Sequence, residues 1–103
     1  MIALDTNLIV RLLIQDDASQ ARAVERLFAR ARRDRTPLFI ADVVLCELVW
    51  VLARRAKQKR AEIAAAVERL LDAEMIVVAD PGIARRALVA YREGAGDFAD
   101  YVI

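Results

Sequence analysis

The chain has 103 residues, 58% of them apolar, with 16 basic and 15 acidic side chains, one cysteine and no histidine. Without histidine there are no Ser-His-Asp or Cys-His relays, no two-His metal site and no imidazole acid–base catalysis, and the lone Cys46 permits neither an internal disulfide nor a thiolate zinc cluster. A net charge of +1 selects no partner at the level of the whole molecule, so any catalysis falls to carboxylates and a metal.

Met1–Leu4 is a short apolar run that predicts a buried strand, and Asp5-Thr6-Asn7 follows it as an N-cap cluster for a helix through Leu8-Ile9-Val10-Arg11-Leu12-Leu13. Asp5 is then either a plain helix cap or an acid at the carboxyl end of a first strand, where open α/β sheets gather ligands. Asp16-Asp17-Ala18-Ser19 opens a second helix to about Arg33, with Ala23, Val24, Leu27, Phe28 and Ala31 as an apolar stripe. Thr36-Pro37 breaks it, and Leu38-Phe39-Ile40-Ala41 predicts the second strand.

Asp42 is placed to cap the next helix, which runs to Arg55 through Val43–Leu52, ten residues of which nine are apolar and the tenth is Glu47. Such a run fits a buried element, where a carboxylate is costly unless it is paired, protonated or bound to a metal. Its helical neighbours Val43, Val44, Trp50 and Val51 cannot satisfy a charge, so its partner is expected from elsewhere in the chain. Cys46, beside it, reads as a small core residue.

Ala53 to Lys59 predicts an exposed helix end and turn. Arg54, Arg55, Lys57, Lys59 and Arg60 form one basic cluster and Arg30, Arg32, Arg33 and Arg35 another; each is either a solvated surface or a contact for a phosphate backbone. Ala61–Leu71 is an Ala-rich helix with Ile63, Ala64, Val67, Leu70 and Leu71 on one stripe, and Met75–Val78 is the third strand. Asp80-Pro81 starts a helix that continues to Gly94. After the Gly94-Ala95-Gly96 loop, Asp97 to Ile103 begins a last helix, with Asp97 and Asp100 on one face at i, i+3; Asp97 alone would also serve as its cap.

The alternation of strands and helices predicts a parallel α/β sheet in a single domain. Gly82, Gly94 and Gly96 lack dinucleotide and P-loop spacing. No apolar run approaches the roughly 20 residues of a membrane span, and Met1 leads into Ile2 without a basic leader, so a soluble, cytoplasmic protein is expected. Asp5, Glu47, Asp97 and Asp100 are acids in apolar settings with no base embedded likewise, which points to a divalent cation that binds hard oxygen ligands and offsets their repulsion.

Leu4-Asp5-Thr6-Asn7 with Arg11 behind them, Cys46-Glu47-Leu48 in the apolar helix, and Asp97-Phe98-Ala99-Asp100 before Tyr101-Val102-Ile103 stand in an order and at a spacing that resemble the PIN-domain ribonucleases. Within that family the pattern is similar to the VapC-type toxins of toxin–antitoxin pairs. The resemblance implies a PIN-like three-layer α/β/α fold with a parallel sheet over residues 1–103, and a Mg²⁺-dependent endoribonuclease, with Mn²⁺ as a substitute, acting as the toxin of a type II pair. It implies Asp5, Glu47, Asp97 and Asp100 as catalytic acids, of which Asp5, Glu47 and Asp100 hold the metal, Asp5 and Asp100 directly and Glu47 through water or as a group that positions the nucleophile. It further implies Thr6, Asn7 and Arg11 as substrate contacts, RNA as substrate, a cognate antitoxin as partner, a homodimer and no membrane attachment. A carboxylate-held cation lowers the pKa of a bound water and neutralises charge building on a phosphate, so such chemistry needs no histidine.

Family members continue with another strand and a further Asp in a Thr-Phe-Asp-like segment. The expectation is therefore a C-terminally truncated domain with one or more C-terminal strands missing. The alternative is a catalytically inactive PIN-like module that binds RNA or protein. A phosphatase or phosphoacceptor domain fits less well, since Asp5-Thr6-Asn7 lacks a second Asp two residues after the first and Asp80 is explained as a cap.

Overall fold

Three short strands lie side by side in a computed structural model that describes residues 1–14, 18–94 and 96–102. They are β1 (Ile2–Ala3), β2 (Leu38–Ile40) and β3 (Ile76–Val78), all parallel, in the order β1-β2-β3. Parallel neighbours require crossovers, and helices supply them. The first is built from α1 (Thr6–Ile14) and α2 (Ala18–Asp34), the second from α3 (Asp42–Arg54) and α4 (Arg60–Asp72), and α5 (Pro81–Glu93) and α6 (Phe98–Val102) follow β3. With three strands and six helices among the described residues, the expected PIN-like α/β fold with a parallel sheet is present. The proposed start of the second helix at Asp16 and Asp17 lies outside the described residues, as do Ala95 in the last loop and Ile103.

Register decides which strand residues reach the core. Ile2 pairs with Leu38 and Leu38 with Ile76, so alternate positions share a face. Leu38, Ile40, Ile76 and Val78 are buried, and so is Leu4, whose N–H extends the ladder to the Phe39 carbonyl at 2.8 Å. On the opposite face Phe39 is half-buried and Ala3 and Val77 are exposed. The helices close over the first face with Ile9, Leu45, Leu48, Leu52, Ile63, Val67, Leu88 and Phe98, each 4% exposed or less; burying such a side chain contributes roughly 1.5–3 kcal/mol. Helix α3 is central and packs against α1, α4 and α6.

Local signals set most element ends. Asp80 Oδ1 accepts the Ile83 N–H at 3.0 Å with Pro81 at the first helical position, as its sequence predicts. Helix α2 ends with Arg35 at φ 52° and the Thr36 N–H on the Ala31 carbonyl at 2.9 Å, a left-handed C-terminal turn that Pro37 then prevents from continuing. Asp42 is a correction. The Ala41 carbonyl already accepts the Val44 and Leu45 N–H groups at 3.0 Å, so Ala41 is the N-cap of α3 and Asp42 its first residue. There its carboxylate complements the positive end of the helix dipole.

Candidate functional site

The first acid sits where strand becomes helix. Asp5 Oδ1 accepts the Leu8 N–H at 2.8 Å, and the Asp5 carbonyl accepts the Ile9 N–H at 3.3 Å. Asp5 is therefore the N-cap of α1 and is exposed at the end of β1. Capping uses one of the roughly four lone-pair positions of a carboxylate, so the cap and a ligand can share it. Of the residues behind it, Thr6 is 6% exposed, whereas Asn7 and Arg11 are exposed and line one cleft with Arg55 and Gln58 at the far end of α3.

The second acid overturns part of the sequence reasoning. Glu47 is exposed, not buried, and needs no partner to offset desolvation. Helix α3 turns Leu45, Leu48, Val49 and Leu52 inward, while Val43, Glu47, Trp50 and Arg54, at i, i+4, i+7 and i+11, form an outward stripe. Val43 is 72% and Trp50 51% exposed. An apolar composition all round the helix concealed that one side faces water. The same correction applies to Asp5, Asp97 and Asp100, all exposed. Burial and, after it, the Asp42 charge push the Cys46 thiol up, so this half-buried residue stays protonated.

The last pair of acids is held by contacts from distant parts of the chain. Arg60, at the start of α4, donates from Nη1 to the Tyr91 carbonyl at 2.7 Å and from Nη2 to the Gly96 carbonyl at 3.0 Å. Its guanidinium lies 4.1 Å from the centre of the Tyr91 ring, which in turn meets buried Phe98 edge-on at 5.9 Å. The Gly96 N–H donates to the Tyr101 hydroxyl at 3.1 Å. These contacts clamp the end of α5 to the start of α6 and so orient Asp97 and Asp100. Asp97 faces α3 across a small pocket of about 110 Å³ shared with Cys46, Trp50 and Arg54. Burial, and to a lesser degree the Asp97 charge, pushes the Tyr91 phenol up, while Arg60 pulls it down.

Compared with known proteins, residues 2–103 match the family model of the PIN domain. The chain belongs to the PIN-domain family. No curated protein and no solved structure matches it.

PIN domains are generally nucleases, bind RNA and typically use divalent metals. This PIN domain offers carboxylate oxygens, the donor chemistry that Mg²⁺ takes. The side chains do not form a finished centre, however: among the described residues no three Cys, Asp or Glu side chains stand together as a metal-holding group. The fold brings their elements together, with α3 lying against both α1 and α6. No helix among the described residues is long and apolar enough to cross a membrane.

Arg55, Gln58 and Arg60 were not singled out individually by sequence reasoning. Counting along the helix placed Trp50 on the face of Glu47 but could not show that this face points outward. Nothing local distinguishes Arg60 from its basic neighbours, because its partners lie 31 and 36 residues away.

Gly94 belongs to the same clamp through close approach. A Cβ there would collide with the Tyr101 hydroxyl and stand 2.9 Å from the Ala90 carbonyl. Gly94→Ala is expected to displace Tyr101 and destabilise the domain by about 1–3 kcal/mol, the usual cost of overpacking, measurable by urea unfolding. Unchanged stability would mean that α6 is free to shift.

Proposed function

We propose that this PIN domain is a Mg²⁺-dependent endoribonuclease, the toxin component of a type II toxin–antitoxin pair, cutting RNA in the cytoplasm. In this reading Asp5, Glu47, Asp97 and Asp100 are the catalytic acids, Asp5, Glu47 and Asp100 hold the metal, and Thr6, Asn7 and Arg11 bind substrate. The observation that carries it is the family match over residues 2–103 on a chain whose acid-bearing elements α1, α3 and α6 are packed side by side. A groove of about 380 Å³ lined by Leu12, Leu13 and Phe28 on one side and Leu70 and Ala73 on the other supports an antitoxin peptide as partner. Exposed Val43, Trp50 and Val89 support a homodimer.

Incubation with structured RNA in Mg²⁺ or Mn²⁺, beside EDTA, tests the reading. Cleavage is expected with metal and none with EDTA, and millimolar metal is expected to raise Tm by binding only the folded state. That no three carboxylates among the described residues gather into a metal group favours a second reading, an inactive PIN-like module that binds RNA or protein. RNA binding without cleavage at any metal concentration would support that reading instead.

A further inference from the structure

We propose that the cleft between α1 and the C-terminal end of α3 is a phosphate subsite for single-stranded RNA, with Arg11 and Arg55 as its cationic walls. The ribonuclease reading supplies only the identity of the polynucleotide; the anion site itself rests on the following geometry. The cleft holds about 530 Å³, within the roughly 300–1,000 Å³ of sites that bury a small ligand. Arg11 and Asn7 enter it from α1, Arg55 and Gln58 from the end of α3 and the turn after it, over a floor that includes Val10 and Val51. Among the described residues no Asp or Glu lines it.

Two guanidinium groups in one concavity repel each other, an anion between them offsets that repulsion, and the apolar floor strengthens their field. Some arginines of the chain are engaged, Arg60 on two carbonyls, Arg85 on Asp72 and Arg92 on Glu68, whereas others such as Arg26, Arg30 and Arg69 stand on the open surface. Among the described residues Arg11 and Arg55 have neither an ion pair nor a side-chain hydrogen bond. The planar fork of Arg suits phosphate oxygens, and the Asn7 and Gln58 amides add neutral donors.

The position favours RNA over an acidic peptide. Asn7 and Arg11 are one turn apart on α1, about 6 Å along its axis, and Asp5 caps the same helix. A strand whose phosphate rests on Arg11 thus leads along α1 toward the capping acid. Repeated phosphates satisfy this track; a peptide carboxylate satisfies only one end of it.

The test measures binding without catalysis. A fluorescein-labelled single-stranded oligouridylate is titrated with the full chain in EDTA, and anisotropy is read at several salt concentrations for wild type, Arg11→Gln and Arg55→Gln. Each variant is expected to bind about tenfold more weakly and to lower the slope of log K against log salt by about 0.7, the value for one phosphate of a single strand. Their melting temperatures are expected to match wild type, since neither side chain makes an ion pair or hydrogen bond among the described residues. Unchanged affinity and slope in both variants overturns the subsite. So does an arginine-dependent preference for poly-glutamate over the RNA, which would mark the cleft as a protein-binding one. Loss of binding in the variants of a protein that never cleaves RNA leaves the subsite standing and removes only the nuclease reading.

Discussion

Asp5→Asn is expected to lower RNA cleavage by about 10²–10³-fold or more, the scale of losing a group that acts on the reacting phosphate, with little change in stability. The structure separates the two roles of this residue. The Leu8 N–H needs only an oxygen acceptor at this N-cap, and Asn caps as well as Asp. What Asn lacks is the negative charge. Asp5→Ala removes both functions and is expected to lose activity together with about 1 kcal/mol of stability. Urea unfolding beside a cleavage assay distinguishes them. Full activity in Asp5→Asn would reduce Asp5 to a helix cap and leave the catalytic reading without its first acid. A loss of stability in Asp5→Asn would mean that the cap depends on charge at the N-terminus of α1.

Arg60→Ala is expected to destabilise the domain by about 2–3 kcal/mol, on the order of 10 °C in Tm, after allowance for the partial exposure of the side chain. The Tyr91 and Gly96 carbonyls each lose a charged donor, and the Tyr91 ring loses the cation on its face. Arg60→Lys is expected to recover only part of this, because a single ammonium on a flexible stem cannot reproduce a fork held to two carbonyls. A second readout is specific to the geometry. Arg60 favours the phenolate of Tyr91, so its removal is expected to move the ultraviolet titration of that phenol to still higher pH. Folded Tyr91 already holds its proton more tightly than the unfolded chain does. That contribution to stability is therefore present below the ordinary phenol value of about 10 and is lost as pH rises through the folded pKa. Wild-type Tm and an unmoved phenol in Arg60→Ala would show that α6 is held by the Tyr91–Phe98 contact alone. If Asp97 and Asp100 act in catalysis, cleavage is expected to fall in the same variant, because the loop that orients them is released.

The two predictions rest on different kinds of information. Asp5 was legible in the chain: a short apolar run, then Asp-Thr-Asn, then helical periodicity puts an acid at a strand-to-helix junction whatever surrounds it. The strands at Leu38–Ile40 and Ile76–Val78, the start of α5 at Asp80-Pro81 and its end at Gly94 were legible for the same reason, since caps, breakers and periodicity act over a few residues. The order of motifs likewise carried the PIN-domain family.

Burial was not legible. A helix that reads Val-Val-Leu-Cys-Glu-Leu-Val-Trp-Val-Leu has enough apolar surface to cover two sides, and composition cannot say which side meets a neighbour. Only packing against α1, α4 and α6 decided it, turning Leu45, Leu48 and Leu52 inward and leaving Val43, Glu47 and Trp50 in water. Nor could the chain distinguish Arg55 from Arg60, five residues apart in one basic run. Tertiary structure gave Arg60 two carbonyls and an aromatic face and left Arg55 in an open cleft opposite Arg11. Local bonding fixes where helices and strands begin and end, whereas the environment of each charge depends on contacts between residues far apart in the chain.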